Sequence, residues 1–222
     1  MNDINFFPDI KFTEDGTRAG LSGSEKKVPF GYAGNLSEIN SKANIPFRFW
    51  NTSLSDFQTK YTDEIREFSV VSDNDKIFIL FGGTGVGKTT LMIGAMHERA
   101  ANGLNCGVYL SARIIPALIR SSKNFNAAES EADFYKRITT VPFLCLDEVG
   151  TSDDVALEAD FLRIVIALRY DNCLRMMIST NMSWESFRNF VSKENPKDPI
   201  LDRLKAISIR RGLGGDSHRS EK

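Results

Sequence analysis

The chain is poor in the residues that metal and disulfide chemistry need. Its 222 residues hold 3 cysteines and 2 histidines. Cys106, Cys145 and Cys173 are far apart, in or beside segments that read as strands. They are expected to be small buried hydrophobes in a reducing compartment, not a disulfide or zinc set. His97 and His218 do not make a metal site. No apolar run approaches the roughly 18 residues of a membrane span. The N-terminus lacks a basic stretch followed by an apolar core, so no membrane partner is expected and the location is read as cytoplasmic. A large excess of one charge is missing too. Lys and Arg total 28 against 29 Asp and Glu, a formal net charge of −1. That argues against a strongly basic DNA binder and leaves room for a local basic surface. No internal repeat is visible. What is present is ordinary globular material, 41% hydrophobic and 26% charged.

Residues 1–44 differ from the rest, with Gly, Ser, Asn and Lys in mixed order. They read as a flexible N-terminal arm with a short helix at 36–43. Phe6-Phe7-Pro8 within it is either a partner-docking segment or a piece that folds back on the domain. From residue 45 to 222 the composition is that of one domain. Apolar spacing suits helices at 54–68, 88–101, 114–119, 129–138, 156–170, 183–191 and 199–206. Strands are expected at 76–81, 107–110, 141–146 and 174–179, the third almost wholly apolar, as a strand buried on both faces should be. Alternating strands and helices predict an α/β, three-layer sandwich with a parallel central sheet.

The most informative segment runs from Gly82 to Thr89 and reads G-x-x-x-x-G-K-[ST]. An apolar strand precedes it and a helix-compatible run follows, which is the context of a P-loop. Gly82, Gly83, Thr84, Gly85, Val86, Gly87, Lys88, Thr89 and Thr90 are therefore the expected triphosphate cradle. The glycines let backbone N–H groups converge on phosphate oxygens at a helix N-terminus. Lys88 reaches the β and γ phosphates, and the Thr89 hydroxyl serves Mg²⁺. The third strand ends in Asp147-Glu148. Asp147 is the second expected holder of Mg²⁺, and Glu148 the base that polarises water for attack on the γ phosphate. A small-molecule kinase, which uses a substrate hydroxyl, has no need of that second acid. At the end of the fourth strand Asn181, with Thr180 in reserve, is placed to touch the γ phosphate or orient the water; it also suits a helix N-cap. Arg203 is either a surface charge beside Asp202 or an arginine donated to a neighbouring subunit's phosphates.

The order of these motifs (the P-loop, then Asp147-Glu148-Val149-Gly150, Arg169-Tyr170, Ser179-Thr180-Asn181 and Asp202-Arg203-Leu204) resembles the AAA+ ATPases of the DnaC/IstB group. That resemblance runs from about residue 45 to the C-terminus. It implies an AAA+ core that uses ATP and Mg²⁺, with Asn181 as sensor and Arg203 as the finger given across a subunit boundary. It implies an ATPase, weak as a monomer, that loads a DnaB-type replicative helicase onto single-stranded DNA as a homo-oligomer or on the helicase ring. The alternative it leaves is an IstB-type transposition helper acting with a transposase on duplex DNA. The tail Gly214–Arg219 is similar to the group's terminal Gly-x-Ser-x-Arg, making Arg219 a candidate for the γ phosphate. The chain stops three residues later, so the usual helical lid is expected to be reduced or absent. Arg113, Arg120 and Lys123 lie where related initiators carry a channel-lining helix. They are either DNA-phosphate contacts or an ordinary solvated face.

Overall fold

The computed structural model describes residues 36–57, 59–70, 76–123 and 128–214. Eight α-helices and five strands occur among them: α1 Leu36–Lys42, α2 Thr62–Val70, β1 Ile77–Phe81, α3 Lys88–Ala101, β2 Val108–Ser111, α4 Ile115–Ser122, α5 Glu131–Thr140, β3 Phe143–Val149, α6 Val155–Asp171, β4 Arg175–Thr180, α7 Trp184–Ser192, α8 Pro199–Ile207 and β5 Ser208–Gly212. The sheet order is β2-β3-β4-β1-β5, every pairing parallel. Side chains alternate between its faces as strand geometry requires. Phe78, Leu80, Tyr109, Phe143, Cys145 and Met177 face α2 and α3, while Ile77, Ile79, Leu110, Leu144, Leu146 and Ile178 face the layer of α4 to α8. This is the expected three-layer α/β sandwich of P-loop NTPases.

Three local expectations change. The helix expected over 54–68 is two pieces. Ser53 and Asp56 form a capping box on a single 3-10 turn, Leu54–Asp56, and the Thr59 and Thr62 hydroxyls bind backbone before α2 begins. A fifth strand, β5, is added to the four expected, in residues to which the spacing assigns no element. Residues 36–44, assigned to the arm, are packed on the domain. Asn40 is fully buried with its Oδ1 2.7 Å from His97 Nε2, and the Tyr109 N–H donates to the Ala43 carbonyl at 2.8 Å. Phe6-Phe7-Pro8 lies outside the described residues. Of the cysteines, Cys145 is buried, Cys106 half-buried, and Cys173 exposed where the chain turns after α6.

Buried guanidiniums tie the layers together. Arg99 from α3 and Arg175 from β4 donate to the Ser69 and Phe68 carbonyls, the last turn of α2. That satisfies orphan carbonyls at the negative end of the helix. Arg169, fully buried on α6, donates to the carbonyls of Ile138, Val141 and Arg175 and so joins α5 to the start of β4. Burial pulls its pKa down to about 9, which still leaves it charged at neutral pH. Arg169→Met keeps the stem but strips three carbonyls, two of them in buried bonds, of their donor. Relief of the desolvated charge offsets part of this, and a net loss of about 3 kcal/mol is expected. It should be seen as a lower urea midpoint at unchanged slope.

Candidate nucleotide-binding site

The strand order brings the tips of β1, β4 and β3 side by side, and the site is built on them. After β1 the chain enters the P-loop through Gly82, whose φ of 152° favours glycine; a Cβ there would sit 2.5 Å from the Leu213 carbonyl. The loop leaves through Gly87, φ 92°, against which the Phe57 ring packs so closely that a Cβ would lie 2.1 Å away. Both positions need glycine for shape and for space. Val86 is buried in the core beneath the loop, so it offers a ligand its backbone only, whereas Gly83 and Thr84 are exposed. Gly87 has no side chain to cap α3, so the N–H groups of Lys88, Thr89 and Thr90 point out of an uncapped helix N-terminus.

Lys88 is 8% exposed and donates to the carbonyls of Gly82 at 2.7 Å and Gly83 at 2.6 Å, and to Asn181 Oδ1 at 2.8 Å. Asn181, just past β4, donates in turn to Thr84 Oγ1 at 3.4 Å. The expected sensor and the P-loop lysine are thus in direct contact. Thr89 Oγ1 donates to Asp147 Oδ2 at 2.8 Å, so the two expected metal holders meet. These are hard oxygen donors, and they suit a small cation that keeps most of its waters and takes phosphate oxygens as ligands, as Mg²⁺ does. Among the described residues no group of three or more His, Cys, Asp and Glu could hold a metal, so a closed protein cage is not on offer.

Glu148 follows Asp147 with a left-handed backbone, φ 61°. The β3–β4 register slips between Leu146 and Val149 at this point. The irregularity turns the Glu148 side chain out of the strict alternation of the strand. Its carboxylate is about one-third exposed and lies 3.3 Å from Arg113 Nε.

Two residues missed in the sequence stand beside Asp147. Tyr109 Oη donates to its Oδ2 at 2.7 Å, and Ser179 Oγ donates to its Oδ1. Burial, and secondarily the charge of Asp147, pushes the Tyr109 phenol up, so it remains a donor. The hint for both was a hydroxyl within a strand, which demands a partner once buried, but which partner it finds is not written in the sequence.

The remaining candidates lie elsewhere. Arg203 on α8 is 3.6 Å from Asp171 and stacks over the Tyr170 ring at 5.3 Å. Those residues end α6, where it leads into the start of β4, at the end of the strands opposite the P-loop. Arg203 is not brought to its own subunit's Lys88. Arg219 lies outside the described residues. Arg113, Arg120 and Lys123 are all paired within the subunit, Arg120 with Asp154 at 2.8 Å and Lys123 with Glu131 at 3.8 Å. No helix among the described residues is long and apolar enough to cross a membrane.

Comparison with known proteins agrees with this geometry. The family model of IstB-like ATP binding proteins matches residues 35–222. No curated protein sequence gives a match. Among solved structures, the DnaC helicase loader is similar at TM-score 0.61 and 19% identity, covering 76% of this chain and 100% of that one. DnaI is similar at 0.62 and 19%, over 76% of this chain and 94% of its own. The replication initiator DnaA, bound to AMPPCP and single-stranded DNA, gives 0.56 and 16% over 77% and 51%. The chain therefore has the α/β P-loop NTPase fold and belongs to the IstB-like ATP binding protein family.

Proposed function

We propose that this protein is an ATP-hydrolysing helicase loader. The observation that carries the chemistry is the joining of Lys88, Asn181, Thr89, Asp147 and Glu148 at three adjacent strand tips. Gly82–Thr90 would cradle the triphosphate, with Thr89 and Asp147 holding Mg²⁺, which supplies charge neutralisation on the phosphates. The Glu148 carboxylate would take a proton from the attacking water, and Asn181 would orient that water against the γ phosphate. Arg203 from a neighbouring copy would complete the site. Arg113 is shared between Glu148 and the segment expected to meet DNA. A DNA phosphate that drew Arg113 away would free Glu148, so turnover would rise with DNA.

The likeness to the DnaC helicase loader and to DnaA bound to single-stranded DNA, each across about three quarters of the chain, supports a replicative helicase as partner and single-stranded DNA as the track, and the helicase proposed is of the DnaB type. Membership of the IstB-like ATP binding protein family keeps a second reading in play, an IstB-type transposition helper on duplex DNA. Residues 1–35 are proposed as the partner-docking arm and the cytoplasm as the location. The full chain, incubated with the host's replicative helicase, is expected to retain it on affinity resin in ATP. The Lys88→Ala variant is expected to retain at least tenfold less nucleotide. Capture of the transposase and not the helicase would decide for the second reading. No uptake of adenine nucleotide at millimolar concentration would end both.

A further inference from the structure

We propose that Ser179 and Tyr109 form a hydroxyl clamp that positions Asp147 for the metal and, through Ser179, aims Glu148. The proposal deepens the ATPase reading and rests on it. Asp147 is 2% exposed, and its carboxylate meets four donors. Thr89 Oγ1 at 2.8 Å and Tyr109 Oη at 2.7 Å share Oδ2. Ser179 Oγ and the Glu148 N–H, the latter at 3.1 Å, share Oδ1. An ionised carboxylate has about four lone-pair directions; Tyr109, Ser179 and the Glu148 N–H fix its orientation, and the direction now taken by Thr89 is the one that would pass to a metal held by Thr89 and Asp147 together. Thr89 belongs to the phosphate-binding helix, but Tyr109 and Ser179 come from β2 and β4, the strands flanking β3, and hold the group from both sides.

Ser179 has a second task. Its Oγ accepts from the Glu148 N–H at 3.0 Å while donating to Asp147. One hydroxyl is thus wedged between the two acids, at the residue whose left-handed backbone departs from the strand. A non-glycine residue holds such a conformation only where its surroundings fix it, and here the Glu148 N–H is fixed by Ser179 and Asp147 together. Ser179 is fully buried beside Met176, Met177 and Ile178. A buried hydroxyl is costly unless it is bonded, so packing alone would favour alanine at this position. Neither hydroxyl belongs to the P-loop or to the strand-tip residues expected to meet the nucleotide. Both act through Asp147 and Glu148 and are positioning residues.

The test uses the full chain with Ser179→Ala and Tyr109→Phe. Affinity for a fluorescent ATP analogue is measured in EDTA and across a Mg²⁺ titration, and phosphate release is followed over the same titration. In EDTA both variants are expected to bind like the parent. The Mg²⁺ concentration at the midpoint should rise about tenfold in each, the usual scale for losing a partner of a metal-holding group. Saturating Mg²⁺ should restore kcat to Tyr109→Phe but not to Ser179→Ala, because only Ser179 also holds Glu148. Unchanged midpoints, or affinity falling equally with and without metal, would overturn the clamp. If Ser179→Ala does not fold, Tyr109→Phe, which keeps its ring in place, decides on the Mg²⁺ midpoint alone. A parent chain that binds Mg²⁺-nucleotide and never hydrolyses it would remove the ATPase reading, while the binding midpoints would still test the clamp.

Discussion

Glu148→Gln is expected to leave ATP bound and cut steady-state phosphate release by about 10²- to 10⁴-fold, the range a positioned general base contributes. The amide keeps the shape of the side chain but cannot accept the proton of the attacking water. The fold should survive. The backbone at 148 is held by its N–H bonds to Ser179 and Asp147 and by the Thr151 hydroxyl on its carbonyl, none of which uses the carboxylate. The ion pair with Arg113 is lost, but that pair is exposed on both sides, and exposed pairs are worth about 0–1 kcal/mol. Stability and ATP affinity should therefore match the parent while turnover collapses. Filter binding of labelled ATP, run beside phosphate release, separates the two. Turnover within a few-fold of the parent would mean that Glu148 is not the base, and a nucleotide-gated adaptor with negligible catalysis would become the better description.

The P-loop and the pair of acids at the tip of β3 were legible in the sequence because their motifs are local. A P-loop is one contiguous run between a strand and a helix, and an apolar strand ending in two acids announces itself. The partners of those acids were not legible. Tyr109 reaches Asp147 because β2 pairs with β3 in parallel with Ser111 opposite Asp147, which sets Tyr109 beside Cys145 and leaves its long side chain to reach the strand tip. No single stretch of sequence states that register. Ser179 was passed over for Asn181 because polar residues at a strand's end are read as loop chemistry, and only the structure shows which of them points between the acids. β5 was missed for another reason. Ser208–Gly212 has one apolar side chain, Ile209, because an edge strand shields little and carries arginines instead. The 54–68 segment kept helical spacing through a real break, because Ser53 caps a single turn and the Thr62 hydroxyl accepts from the Thr59 N–H ahead of α2, two pieces that periodicity merges.

Arg203→Ala is expected to reduce turnover as severely as Glu148→Gln, and the two variants are expected to rescue each other when mixed. Arg203 is one-third exposed and held by Asp171 and Tyr170, both at the end of α6 remote from the P-loop. It has no route to its own phosphates. An arginine supplied from outside a phosphoryl-transfer site is worth about 10³- to 10⁵-fold in turnover, so an assembly of Arg203→Ala chains should be nearly silent. In a mixed assembly, a site on an Arg203→Ala chain has an intact Glu148 and can receive Arg203 from an adjoining Glu148→Gln chain. Random one-to-one mixing in a head-to-tail ring makes about a quarter of the interfaces whole in this way, so about a quarter of the parent activity should return. The mixture should be assayed at fixed total chain over a dilution series, since the recovered activity requires association and must fall as chains separate. A surface arginine with no role across the boundary predicts the opposite on both counts: Arg203→Ala would turn over like the parent, and mixing would only dilute it with Glu148→Gln.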